Sequence, residues 1–225
     1  MRTIAAHIRQ SQTESMSQAA AAAPHPNALL NRFLPTGASA VTARADGLSA
    51  GLSASHRLAL ADLPRLRQHL AAFERAALKH GLPPALLAAM ASRESRAGAA
   101  LDANGLGNFG ECFGLMQLES RYHPPRGGAY SAEHIDQAAR VLARRLEEVR
   151  ARHPGWPVDQ QLRGAVAAYD AGVDGVRTIK EMDRDTTGGD YSNDVWARAQ
   201  ALAPHVGGRE QSTPSVGQGW MTGRA

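Results

Sequence analysis

Apolar positions along the chain recur at helical spacing. Leu63, Leu66, Leu70, Phe73, Ala77 and Leu78 follow one another at intervals that build a single stripe, and Gly81 is a natural stop. Pro83 and Pro84 then open a second helix, where a missing N–H costs nothing. Its apolar positions, Leu86, Leu87, Met90 and Ala91, run directly into Arg93-Glu94-Ser95. Ser131 is placed to cap a long helix with Ile135, Ala138, Leu142, Leu146 and Val149 on its inner face. Asp159 is expected to cap the next helix. Its Gly164, Ala165, Ala167 and Ala168 let neighbours come close, which predicts a central place, and Gly172 ends it. A short helix from Val173 to Met182 and a last one from Asp190 to about His205 complete the set.

Between residues 98 and 130 the pattern breaks. Gly98, Gly105, Gly107, Gly110, Gly114, Gly127 and Gly128, with Pro124 and Pro125, predict loops, tight turns and a short hairpin. A loop of this length inside a compact domain is usually functional. Residues 1–58 are Ala-, Ser-, Gly- and Pro-rich and are expected to be mostly disordered, apart from an apolar knot of Leu29, Leu30, Phe33 and Leu34 that reads as a short helix or docking segment. Residues 207–225 read as a flexible tail, which leaves 59–206 as the one compact domain.

Composition narrows the class. Hydrophobic residues make up 43% of the 225 and charged residues 20%, as in a soluble globular protein. No run approaches the roughly 20 apolar residues of a membrane span. The first 26 residues lack the apolar core of a secretory signal, since His7, Arg9 and Gln10 interrupt it. Net charge is +4, nearly all of it from arginine, with Lys79 and Lys180 the only lysines. The arginines are spread over several segments, so no nucleic-acid partner is expected. Cys112 is alone and cannot form an internal disulfide; its expected role is a small buried hydrophobe. Nine histidines show no metal-ligand spacing, so neither a metal nor a cofactor is expected.

Glu94 ends a strongly apolar helix and opens the glycine-rich segment. A carboxyl against an apolar wall is poorly solvated, its pKa rises, and in the protonated form it can donate to a glycosidic oxygen. Taken alone it reads more readily as a solvated glutamate paired with Arg93 or Arg96, since most glutamates are solvated. The segments around it decide. Ser92-Arg93-Glu94-Ser95, Asn104-Gly105-Leu106-Gly107, Phe113-Gly114-Leu115-Met116-Gln117, Arg121 with His123, Asp159-Gln160-Gln161-Leu162, Ala168-Tyr169-Asp170-Ala171-Gly172 and Asp190-Tyr191-Ser192-Asn193-Asp194 follow in order. In that order and spacing, from about Leu63 to His205, the chain resembles the goose-type lysozymes of the lysozyme-like and lytic transglycosylase superfamily.

That resemblance implies a mainly α, lysozyme-like fold with a small β-hairpin beside a saccharide cleft. It implies Glu94 as the catalytic acid, and Gln117, His123, Tyr169 and Tyr191 as residues lining the cleft. A packed core tyrosine remains an equal reading for Tyr169, and a turn histidine for His123. The chain departs from the family where Asn108 and Glu119 stand in place of the two aspartates that are its candidates for handling the attacking water. Asn108 can orient a water but cannot take its proton. Glu119 keeps a carboxylate and is the base candidate, against a competing reading as a solvated glutamate beside Arg121.

The expected activity is hydrolysis of the β-1,4 bond between N-acetylmuramic acid and N-acetylglucosamine. A lytic transglycosylase giving 1,6-anhydromuramyl products, and a catalytically weakened peptidoglycan-binding module, stay open as alternatives. The partners expected are peptidoglycan glycan strands, met by a monomer in the periplasm or outside the cell. With no signal peptide legible, a delivery or secretion partner for the N-terminal segment is a further expectation.

Overall fold

The computed structural model describes residues 25–107 and 110–207. Asn108, the whole of the segment 1–24 and all but Gly207 of the expected tail lie outside them. The described chain is mainly helical. In order, it forms α1 (Ala40–Ala45), α2 (Leu52–Leu66), α3 (Leu70–His80), α4 (Pro84–Ser95), three two-residue strands β1 (Leu106–Gly107), β2 (Cys112–Phe113) and β3 (Leu118–Glu119), then α5 (Ala132–Arg152), α6 (Val158–Ala171) and α7 (Tyr191–Leu202).

α4 is the centre. From Pro84 to Ser92 every residue is buried, and Leu86, Leu87 and Met90 expose nothing. A helix apolar on all sides belongs inside a bundle, and α2, α3 and α7 pack around it. Each of those large side chains contributes roughly 1.5–3 kcal/mol of burial. α5 instead shows one buried stripe, Ile135, Ala138, Leu142, Leu146 and Val149, against α3 and α6, and turns its arginines and glutamates outward. Ser131 caps it by accepting a hydrogen bond from the His134 N–H.

The expected hairpin is part of a three-stranded antiparallel sheet in the order β1-β2-β3, with Leu106 opposite Phe113 and Cys112 opposite Glu119. Beneath it Gly114 lies so close to His134 that a Cβ would sit 2.4 Å from the ring Nε2. The Met116 N–H donates to that same nitrogen at 3.2 Å.

Several expectations need correction. The stretch before residue 58 is not mostly disordered where it is described: residues 28–32 form a 3₁₀ turn, and α1 and most of α2's first turns precede residue 58. Leu30 is fully buried, and its carbonyl accepts hydrogen bonds from Trp196 Nε1 at 2.9 Å and Gln200 Nε2 at 2.8 Å. The apolar knot is therefore core, and the compact domain begins earlier than residue 59. The single helix expected over Leu63–Leu78 is broken, because His69 leaves helical geometry (φ −117°, ψ 4°) between α2 and α3. Pro157, not Asp159, holds the N-cap position of α6, with no side-chain hydrogen bond, and Asp159 lies in its first turn, where the helix dipole favours a carboxylate. Val173–Met182 forms only a 3₁₀ turn at Val173–Gly175; its β-branched Val173, Val176, Thr178 and Ile179 weaken a short helix.

Candidate active site

The last turn of α4 carries Arg93, Glu94 and Ser95, and the chain leaves it abruptly. Arg96 and Ala97 both take left-handed conformations, φ 55° and 52°. Two successive non-glycine residues in that region hold strain of order 1–3 kcal/mol each. What holds them is a buried polar cluster. Fully buried Asp62 accepts from Arg96 Nε at 3.1 Å and from Ser92 Oγ at 2.7 Å, while Arg65 Nε donates to the Arg96 carbonyl at 3.0 Å. Ser95 Oγ donates to the Leu115 carbonyl at 2.8 Å, which ties the glycine-rich segment to the end of the same helix.

On the other side Arg93 donates to the Thr187 carbonyl at 3.0 Å and to Asp190 Oδ1 at 3.2 Å, and pairs with buried Asp194 at 3.4 Å. Arg198, also buried, joins Asp194 at 3.0 Å to Ser92 Oγ at 2.9 Å. Glu94 is thus mounted on backbone fixed by acids from α2 and α7.

Its own side chain is half-buried at a cleft, and the hydroxyl of Tyr191, the first residue of α7, donates to Glu94 Oε1. Burial pushes the Glu94 carboxyl from 4.5 up to about 7; the Tyr191 hydrogen bond opposes this, the charge of Asp170 adds to it, and Arg93 opposes it again. A carboxyl with that pKa is substantially protonated at neutral pH and able to give its proton to a leaving oxygen. The cleft measures about 1290 Å³, beyond the roughly 300–1,000 Å³ of an ordinary small-molecule pocket.

Known proteins supply the family. The family model described as Lysozyme g matches residues 30–205. The chain is 42% identical over 180 residues to Lysozyme g of Takifugu rubripes, covering 76% of this chain and 94% of that protein. Lysozyme g of Gallus gallus is 41% identical over 177 residues, 78% of this chain and 83% of the relative. For Casuarius casuarius the figures are 39% over 178 residues, 79% and 96%.

The chain belongs to the lysozyme g family. It is therefore an enzyme of the glycosidase class, as the resemblance in the sequence implied, on a mainly α fold with a small sheet. The match begins at residue 30, inside the stretch that composition alone reads as disordered.

The structure brings Glu94, Glu119, Gln117, His123, Tyr169 and Tyr191 to one cleft. Gln117 lies in the turn between β2 and β3 with φ 45°, its Nε2 donating to the Gly114 carbonyl at 2.8 Å. Gly107 leaves room for it, since a Cβ there would meet Gln117 Oε1 at 2.4 Å. Tyr169, in the last turn of α6, donates its hydroxyl to the Met116 carbonyl at 2.7 Å, so it both packs and faces the cleft. Burial, then Arg145, Arg144 and Arg140, push the His123 imidazole below its ordinary pKa.

Glu119 on β3 has a side chain 42% exposed and pairs with Arg121 at 3.4 Å. That places it on the rim, in the solvated company expected of the competing reading, while it still lines the cleft. Cys112 was expected to be buried. On β2 it is instead half-exposed and lines the cleft, its thiol pushed up by burial and by Glu94, Glu119 and Glu111.

Sequence reasoning missed Asp170 and Thr187 in the cleft, and the arginines Arg140, Arg144 and Arg145 of α5 that line it. Asp170 was in sight as the neighbour of Tyr169, and the i, i+4 pair Arg140 and Arg144 was a legible stripe; nothing local marks Thr187. Among the described residues no three His, Cys, Asp or Glu side chains cluster as metal ligands, and no helix is long and apolar enough to cross a membrane.

Proposed function

We propose that this enzyme hydrolyses the β-1,4 bond between N-acetylmuramic acid and N-acetylglucosamine in bacterial peptidoglycan, with Glu94 as the general acid. The observation that carries the reading is the Glu94 carboxyl, raised to about 7 by burial and held by Tyr191 beside a polymer-sized cleft. The glycan strand lies along the cleft with a glycosidic oxygen at Glu94, which protonates it as the bond to the anomeric carbon breaks. Tyr191 fixes which carboxyl oxygen is free, and Gln117, His123 and Tyr169 line the cleft with an amide, an imidazole and an aromatic ring, groups that suit sugar hydroxyls and faces. Water then attacks the oxocarbenium-like centre, and Glu119, on the sheet side of the cleft, is the carboxylate for the water's proton. Its site of action is the wall itself.

A second reading has its own support. Glu119 is exposed and paired with Arg121, and Asn108 cannot accept a proton. A lytic transglycosylase needs only Glu94, first as acid and then as base toward the muramic acid's own hydroxyl.

Glu94→Gln is expected to lower the rate of peptidoglycan solubilisation by about 10³-fold while the circular dichroism spectrum stays unchanged. Retained activity in that variant rejects Glu94 as the acid. Mass spectrometry of the wild-type products separates the chemistries: reducing ends support hydrolysis, and products lighter by one water support transglycosylation. Binding to insoluble wall with no soluble product supports a binding module instead.

A further inference from the structure

Asp170 ends a helix, lies in the same cleft as Glu94, and has no role in the reaction described so far. Both its oxygens are engaged by one residue across the cleft: Oδ2 accepts the Thr187 N–H at 2.7 Å and Oδ1 accepts the Thr187 hydroxyl at 2.9 Å. The carbonyl of Thr187 in turn accepts from Arg93, the chain neighbour of Glu94, at 3.0 Å. The 3₁₀ turn Thr187–Gly189 is held from behind as well, since a Cβ on Gly188 would meet Thr42 Oγ1 at 2.5 Å and Asp190 Oδ1 at 2.8 Å. A continuous path of hydrogen bonds therefore runs from the end of α6, through this turn, to the end of α4.

We propose that Asp170, latched to Thr187, is a positioning residue for the catalytic acid. It acts through Glu94 in two ways, and so this inference rests on the reading of Glu94 given above. The latch fixes the Thr187 carbonyl that orients Arg93, keeping that guanidinium on Asp190 and Asp194 and so steadying the helix end from which Glu94 is aimed. The carboxylate also sets a like charge near Glu94, which disfavours the ionised acid. The charged and titratable groups around Glu94 are Arg93 on its own helix, Asp170 and Tyr169 on α6, Tyr191 on α7 and Cys112 on β2. Of these, Asp170 is the one negative charge among the causes acting on Glu94.

The test is the pH dependence of kcat for peptidoglycan solubilisation in the full chain, in two variants. Asp170→Asn removes the charge but keeps an amide oxygen to accept from the Thr187 N–H. Its alkaline limb is expected to move down by about half to one pH unit, making it about 3–10-fold slower than wild type at pH 8 and within about twofold at pH 5. Thr187→Val keeps the charge and the backbone hydrogen bond, and its limb is expected to stay where the wild-type limb lies, with a lower plateau.

A limb in Asp170→Asn that superimposes on wild type after scaling overturns the proposal, as does an equal shift in Thr187→Val. Asp170→Ser carries the same test if Asp170→Asn does not fold. Glu94→Gln, run alongside, separates the two levels. With that variant dead and the Asp170→Asn limb unmoved, only this inference fails; with that variant active, the assignment of the acid fails and takes this inference with it.

Discussion

The wall of the cleft that holds Glu94 and the wall that holds Glu119 are built on different principles. Glu94 stands on the most buried helix among the described residues, and its flanking backbone is gripped by Asp62, Asp190 and Asp194 through arginines with little exposure. Glu119 stands on a strand of two residues in a small sheet, with a side chain 42% exposed and one partner, Arg121, that is 74% exposed. An acid must be kept protonated and aimed, which burial and a rigid mount accomplish. In the proposed mechanism the carboxylate that handles water needs access to solvent, which a rim position gives. The contrast suits the division of labour proposed above for Glu94 and Glu119.

Four substitutions break or sharpen that contrast, from largest effect to smallest. Asp194→Ala leaves Arg198 and Arg93 facing an empty buried site, and is expected to destabilise the fold by about 3–5 kcal/mol in urea titration. Glu119→Gln, which leaves packing intact, is expected to slow peptidoglycan solubilisation by about 10–100-fold; an unchanged rate with products lighter by one water favours the single-acid transglycosylase chemistry. Tyr191→Phe keeps the buried ring and removes the hydroxyl bonded to Glu94. That hydrogen bond lowers the Glu94 pKa, so its loss raises the pKa further. The alkaline limb of kcat is then expected to extend to higher pH, with the plateau reduced severalfold by a less well aimed acid. Arg121→Ala, on the exposed wall, is expected to cost under about 1 kcal/mol of stability.

Much of the buried wall was legible in the sequence. Leu86, Leu87 and Met90 announce a core helix, Pro84 its start, and the adjacency of Glu94 to that apolar run gives the reason for a raised pKa. Small residues in α6 and the heptad-like face of α5 were equally plain. The exposed wall was legible only as a glycine-rich break, because register in strands of two residues is set by partners far along the chain, such as His134 under Gly114 and Gln117 against Gly107.

The start of the domain was misread for a related reason. Leu30 belongs to a short apolar knot in an otherwise Ala-, Ser-, Gly- and Pro-rich stretch, and what it packs on, including Trp196 and Gln200, lies over 160 residues away. Asp170 and Thr187 escaped because their hydrogen bonds join two helix ends that only the folded chain brings together. The ordered motifs compensated, since their spacing already encodes that tertiary arrangement.

The central claim is that burial keeps Glu94 protonated near neutrality. The direct measurement is a carbon-13 NMR titration of the glutamate side-chain carboxyls, with the Glu94 resonance assigned by its absence in Glu94→Gln. A midpoint near 7 is predicted, with kcat falling over the same interval as pH rises. A midpoint near 4.5, the ordinary value for a glutamate, with activity undiminished through pH 8, contradicts it.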